Sequence, residues 1–463
     1  MPPMWPIRYI CSCVDPCALN FSTVYLSNIQ FNIYQTAMMN TWNRTLSLLA
    51  CALMALSAVA QGRVDTRTHI FDSNVRSLKV CLDNNMYIPP VLMLNGDNCL
   101  VVNFDYIDYD VHYLRYSVTH CNADWQPSQL VESEYVSGFN YADIDDYEQS
   151  LATYVHYYNY QFTLPNPDME LLVSGNYLLT VYEQDNPDKL LFQTRFSVCE
   201  GTVSVFPQVT SRTDVEYNNR MQQVSFEVRY KPGQIQDPYS EFTCIVSQNS
   251  RDDNAVTVKR PLMVGTDHVT YDHNNSLIFM AGNEFRRFET VAAHNINMGV
   301  QSIRYYEPMY HATLLTDVPR SDGQYLYDKT QFGRFTVRNA ESYNENPLEA
   351  DYMYTHFTLD AGGQLNGGTL WLYGEFLNGF PATQAMMRYD TYSGLYTADV
   401  LLKQGAYNYM YLWVPDGTAV GQTGMIEGDH YETVNEYLVK VYDRPMGERY
   451  DRFVGYGVAY SGL

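Results

Sequence analysis

Apolar and polar residues alternate along most of the chain. From Thr153 the stretch "TYVHYYNYQFTL" sets Tyr154, His156, Tyr158, Tyr160, Phe162 and Leu164 on one side of an extended backbone. Val155, Tyr157, Asn159, Gln161 and Thr163 fall on the other. A period of two marks a strand with one buried face, so a long strand is predicted here. "GNYLLTVYEQ" (175–184) and "KLLFQTRFSVC" (189–199) follow as a hairpin, split by the turn residues Asp185, Asn186, Pro187 and Asp188. Upstream, "SLKVCLD", "CLVVNFDYI" and "YLRYSVTHC" read as further strands. Some seven strands with frequent turn signals predict an immunoglobulin-like sandwich over residues 65–200.

A second β-sandwich is predicted over 203–335. Its strands are "QQVSFEVRY", "FTCIVSQN", "AVTVKRPLMV", "SLIFMA" and "SIRYYEPMYHATLL", and "KPGQIQDP" and "SQNSRDDN" are its loops. Residues 336–463 predict a third, an early-set-like sandwich with a tail. In "AYNYMYLWV", Tyr407, Tyr409, Tyr411 and Trp413 alternate with Asn408, Met410, Leu412 and Val414. Both sides are apolar enough to be covered, the mark of a central strand. No long stretch with a helical period occurs beyond residue 60. The fold class expected is all-β: tandem immunoglobulin-like and early-set β-sandwich domains.

The start of the chain changes where that fold begins. In residues 39–60, Arg44 precedes an apolar run from Leu46 to Val59, and Ala58-Val59-Ala60 is a cleavage sequence with Gln61 after it. This is the pattern of a secretory signal peptide, too short to span a membrane comfortably. Residues 1–38 then read as a mis-annotated upstream leader, with translation starting at Met38 or Met39. The leader's "CSCVDPC" offers Cys11, Cys13 and Cys17, too few ligands for a structural zinc.

The chain carries 29 basic and 52 acidic residues. Losing Arg8, Arg44 and Asp15 with residues 1–60 leaves 27 against 51. That acidity, with no basic stripe, argues against nucleic acid and against an anionic membrane as partners. The 42 tyrosines suit half-buried pleated surfaces and protein contacts. Five cysteines lie beyond the signal: Cys81, Cys99, Cys121, Cys199 and Cys244. Their pairing is open. Cys81 and Cys99 are the nearest two, and buried free thiols are the alternative.

Candidate chemistry concentrates in "THCNADWQPSQLVESEYVSGFN" (119–140). His120, Cys121 and Asp124 have the residue types of a nucleophile, a base and an orienting acid. Neighbours on a strand face opposite ways, however, so His120 and Cys121 do not address one substrate. His120 shares a side with Leu114, Tyr116 and Val118 and reads as a core histidine. Trp125 reads as a packing anchor, and Asn122 and Asp124 as turn formers that bond nearby backbone. Pro127 and Ser128 break the strand. "DIDDYE" groups Asp143, Asp145, Asp146 and Glu148 without the glycine and spacing of an EF-hand, so it reads as a solvated loop. "AGGQLNGG" (361–368) lacks the lysine and helix of a phosphate loop and reads as a hairpin turn. No G-x-S-x-G, H-E-x-x-H or paired C-x-x-C occurs. No catalytic residue, metal ligand or cofactor site is assigned.

Residues 372–414 are similar in shape to the glycogen- and starch-binding sandwich modules, with Phe380 near the place of their exposed tryptophans. A secreted carbohydrate-binding protein is therefore the alternative function, and it turns on whether Trp371, Trp413 and Phe380 share one exposed flat face.

Over nearly its whole length beyond the signal, the chain resembles the type IX secretion plug protein family. The resemblance rests on "YSVTHCNADWQPSQLVESEYVSGFN", "YVHYYNYQFTLPNPDMELLVSGNYLLTVYE", "LWLYGEF", "LLKQGAYNYMYL" and "NEYLVKVYDRPMGERYDR". Within the first, His120, Cys121, Asn122, Asp124, Trp125, Pro127 and Ser128 form the distinctive string. The resemblance implies a periplasmic, non-enzymatic protein of several β-sandwiches. Its partner would be the outer-membrane β-barrel translocon of type IX secretion, whose periplasmic end it would seal, without being membrane-embedded itself and without a small-molecule substrate.

Overall fold

The computed structural model describes residues 63–462 apart from 296; the expected leader (1–38) and expected signal peptide (39–60) lie outside the described residues. Alternation becomes pleat directly. In the strand Leu114–Cys121 every second residue from Leu114 to His120 is buried, and Phe242–Gln248 buries Phe242, Cys244, Val246 and Gln248 the same way.

Six sheets pair face to face. Leu114–Cys121, Gly175–Glu183 and Asn186–Cys199 are consecutive strands of one sheet. It packs on a sheet of Val75–Leu82, Leu100–Tyr106, Tyr158–Leu164 and Asp146–Gln149, around a core that includes Phe104, Tyr116, Tyr160 and Phe192. In the second sandwich, Ser204–Thr210, Met221–Arg229 and His268–Tyr271 face a sheet built from Val256–Val258, Phe242–Gln248, Glu436–Asp443 and Arg452–Tyr460. In the third, Gly405–Pro415 is the hub of one sheet. The other runs Val300–Tyr306, Met309–Leu314, Tyr352–Leu359, Leu395–Lys403 and Arg388–Asp390. Gly405–Pro415 is buried on both sides: Tyr407, Tyr409 and Tyr411 enter the sandwich core, while Met410 and Leu412 pack with Phe285 and Tyr373.

These pairings do not follow a linear division at residue 335. Phe242–Gln248 pairs antiparallel with Glu436–Asp443, nearly two hundred residues away, with Cys244 opposite Val441. The second core therefore joins residues 203–279 to 437–454, and the third core, drawn from 288–426, is inserted between them. Local periodicity finds strands but carries no record of which distant strand each one joins.

Two local expectations also shift. The strand predicted from Thr153 starts at Tyr158. Ahead of it, the Asp351 carboxylate accepts from the backbone N–H groups of Tyr154 and Val155 at 2.8 and 3.1 Å, and Ser150 Oγ accepts from Tyr157 N–H. The segment is thereby held against another sandwich instead of a neighbouring strand, with Tyr157 fully buried and Tyr154 exposed. In the hairpin, Glu183 already pairs with Asn186, and the register shifts before Tyr182 meets Leu190. Pro187 and Asp188 sit in that irregularity, where proline's missing N–H costs no ladder bond.

From Asp65 onward the chain packs as one compact unit. Among the described residues no helix is long and apolar enough to cross a membrane.

Candidate functional site

The distinctive string lies where Leu114–Cys121 leaves its sheet. His120 is 1% exposed. Its Nε2 is 3.0 Å from the carbonyl of Ser174 and its Nδ1 is 2.8 Å from Ser128 Oγ. A carbonyl only accepts, so Nε2 carries the hydrogen and Nδ1 accepts from the Ser128 hydroxyl, a neutral tautomer with both nitrogens satisfied. Burial pushes the His120 pKa down, countered only in part by the bond to Ser174 and by Asp451. Tyr135, Tyr177 and Tyr450 surround the ring.

Cys121 points the other way, as alternation requires, yet it too is buried, and burial pushes its thiol up to about 12. The loop that follows is a tight return. Trp125 N–H donates to the carbonyl of Asn122, Asn122 N–H to that of Gln126, and Ser128 N–H to that of His120. Asp124 Oδ1 accepts from Gln126 N–H. Trp125 adopts φ 64°, and its indole lies under the Arg195 guanidinium, 4.4 Å from the ring centre, with the Lys440 ammonium 5.7 Å away.

Lys440 belongs to the second sandwich, and further contacts follow it there. Ala123 N–H donates to Asp451 at 2.9 Å, and Asp451 N–H donates to Asn122 Oδ1 at 3.2 Å. Asn176 bonds the carbonyl of Asn122 and accepts from the Tyr442 hydroxyl at 2.7 Å. Val91, Ala123 and Cys199 pack with Tyr442 and Phe453. The string is thus a joint between the first sandwich and the final hairpin of the chain. Its histidine is buried and holds a loop in place.

Two more joints are invisible to sequence reasoning. Asp105, from the first sandwich, receives the Lys403 ammonium at 2.7 Å and the Tyr352 hydroxyl at 2.6 Å from the third. Between the third and second sandwiches, Arg334 donates to Glu436 at 2.7 Å, with both side chains buried. The sequence trace is slight: Asp105 and Lys403 are charges beside apolar neighbours in "VVNFDYI" and "DVLLKQG", strings that also hold Asn103, Asp399 and Gln404.

Asp143 pairs with Arg115 on the surface. Among the described residues no group of three or more His, Cys, Asp or Glu is placed to hold a metal ion. Cys81, Cys99, Cys121, Cys199 and Cys244 are all free thiols. Trp371 and Phe380 meet edge to face, but Trp413 is 4% exposed within the third core. The three do not form the flat exposed platform that sugar stacking needs. The outer surface instead carries aromatic groups such as Tyr154, Tyr305 and Tyr310, with ring centres 4.7–5.4 Å apart.

The fold is three β-sandwiches fastened to one another by buried polar joints. Residues 75–200 match the model of the type 9 secretion system plug protein first domain. A crystal structure of a hypothetical protein from Parabacteroides merdae ATCC 43184 is 40% identical and superposes with a TM-score of 0.84, covering 86% of this chain and 100% of that one. No curated protein matches the chain. The chain belongs to the type IX secretion system plug protein family. Membership points to a non-catalytic role in type IX secretion, in association with a translocon of the cell envelope.

Proposed function

We propose that this protein is exported to the periplasm, docks on the periplasmic end of the outer-membrane translocon barrel of type IX secretion, and seals that pore when no substrate is passing. The observation that carries the reading is the match of residues 75–200 to the plug family's first domain. The joints support it. A seal must resist deformation, and the buried Asp105–Lys403 and Arg334–Glu436 contacts fasten each sandwich to the next. A reversible seal also needs a contact surface of mixed polar and aromatic character rather than an obligate apolar one. Exposed tyrosines such as Tyr154, Tyr305 and Tyr306 are of that kind.

The test is affinity purification of the barrel from cells whose secretion is idle. The protein is expected to co-purify, and its deletion to make the outer membrane leaky to large solutes. Failure to co-purify, with permeability unchanged on deletion, overturns the reading.

A further inference from the structure

The outward face of the third sandwich carries two histidines on adjacent parallel strands. His311 lies on Met309–Leu314 and His356 on Tyr352–Leu359, where Thr313 pairs with His356. The register puts His311 opposite Tyr354, yet the two imidazoles lean together: His311 Nδ1 is 2.9 Å from His356 Nε2. The ring centres are 5.2 Å apart with planes inclined by 20°, so the rings meet nitrogen to nitrogen instead of overlapping. The other nitrogen of His356, Nδ1, is 2.5 Å from Asp399 Oδ1 on the next strand. A carboxylate accepts, so His356 carries its hydrogen on Nδ1 and offers a bare lone pair at Nε2. The hydrogen between the rings then belongs to His311.

This has the form of a metal-ligating pair with its outer support in place. Histidine ligands characteristically donate their second N–H to a carboxylate, which fixes the tautomer and strengthens the ligand. Asp399 stands in that position to His356. His311 needs only to move its hydrogen to Nε2 to present a second lone pair. With metal–imidazole bonds of about 2.0–2.1 Å, two nitrogens on adjacent corners of a tetragonal site lie about 2.9 Å apart, so the pair is already at the spacing of neighbouring ligands. The rings must swing for both lone pairs to meet one ion. The His356 side chain is 30% exposed, and the rings flanking His311, Tyr306 and Tyr354, are themselves exposed side chains that can give way. Among the described residues no group of three or more His, Cys, Asp or Glu is placed to hold a metal ion, so water would complete the shell.

We propose that His311 and His356 form a surface site for a borderline divalent transition metal, with Asp399 as the positioning carboxylate. Tetragonal geometry and imidazole ligands favour Cu2+, then Ni2+, over Zn2+. The site is independent of the sealing role: the metal is bound on a face of the inserted sandwich, and nothing in the plug reading requires it.

The experiment uses the full chain, stripped with chelator and titrated with CuCl2, NiCl2 and ZnCl2 by calorimetry. One equivalent of Cu2+ is expected to bind, its electron paramagnetic resonance spectrum carrying the coupling of two imidazole nitrogens. His311→Gln and His356→Gln should each weaken binding at least tenfold and leave one coupled nitrogen. Asp399→Asn should weaken it by about ten- to a hundredfold while keeping both. His273→Gln, on another sandwich, should change nothing. In the unaltered protein, substoichiometric Cu2+ should broaden the ring resonances of His311 and His356 before those of the other histidines. Absence of Cu2+ binding, equal binding in the His311 and His356 variants, or first broadening at another histidine overturns the site.

Discussion

Lys403 Nζ lies 2.7 Å from Asp105 Oδ2, and the two residues belong to different sandwiches with 3% and 0% of their side chains exposed. Burial works against the Lys403 charge, and Asp105 opposes that effect. The pair also holds the Tyr352 hydroxyl, and the Lys403 ammonium lies 4.0 Å from the ring centre of Tyr157. Tyr157 points its own hydroxyl at the carbonyls of Pro347, Leu348 and Ala350. Two charges and two tyrosines therefore occupy one water-excluded seam.

Removing one charge strands the other. Lys403→Met or Asp105→Asn is expected to cost about 3–5 kcal/mol of folding stability. The double variant should cost less than the sum of the two, because no unpaired charge remains. Urea unfolding of the four proteins measures this, and an additive double variant would show that the pair is not coupled.

His120 ties folding to pH. In an unfolded chain histidine takes up its proton near pH 6.5. In the folded protein burial pushes the His120 pKa below that value. Its neutral, doubly bonded state thus contributes stability above about pH 6.5, and the contribution falls as pH drops through the lowered folded value. The urea midpoint of the unaltered protein should decline more between pH 7.5 and pH 5 than that of His120→Asn, so the gap between them narrows in acid. A constant gap would exclude the linkage.

Gly175 makes room for that histidine. Its φ is +144°, and a Cβ there would stand 2.3 Å from His120 Nε2. Gly175→Ala should drive the ring off the Ser174 carbonyl and cost at least the roughly 1–3 kcal/mol of a broken buried hydrogen bond. The His120 ring resonances should move with it. Thermal melting within 1 °C of the unaltered protein, with unshifted resonances, would count against the packing described.

Thiol chemistry should divide the cysteines. Cys121, Cys199 and Cys244 are buried, and burial pushes each thiol up to about 12. Cys81 and Cys99 are partly exposed. At pH 8 a thiol reagent should modify Cys99 and Cys81 first and reach Cys121, Cys199 and Cys244 only on unfolding, with all of these thiols labelled in denaturant and no reductant. Mass spectrometry of time points reads the order. Early labelling of Cys121 would contradict its placement.

Sequence and structure answer different questions here. The period of two in "YLRYSVTHC" and "AYNYMYLWV" sufficed to place His120 in a core, to part it from Cys121 and to make Gly405–Pro415 a strand covered on both sides, because side-chain direction in a strand is a local property. The all-β class follows from the same rule repeated. Long-range choices are not local. Nothing near Phe242 indicates that its partner is Asp443, and nothing near Asn122 indicates that its side chain serves Asp451. Pairing and docking depend on which apolar faces and buried charges meet after the chain has crossed hundreds of residues, and that is settled only when the sandwiches pack. The string from His120 to Ser128 shows the division most clearly. Its strand end and the turn role of Asp124 are legible in the sequence; Asn122, expected to bond nearby backbone with its side chain, instead accepts from Asp451 N–H, and only tertiary contact with Lys440, Tyr442 and Asp451 makes the string a joint.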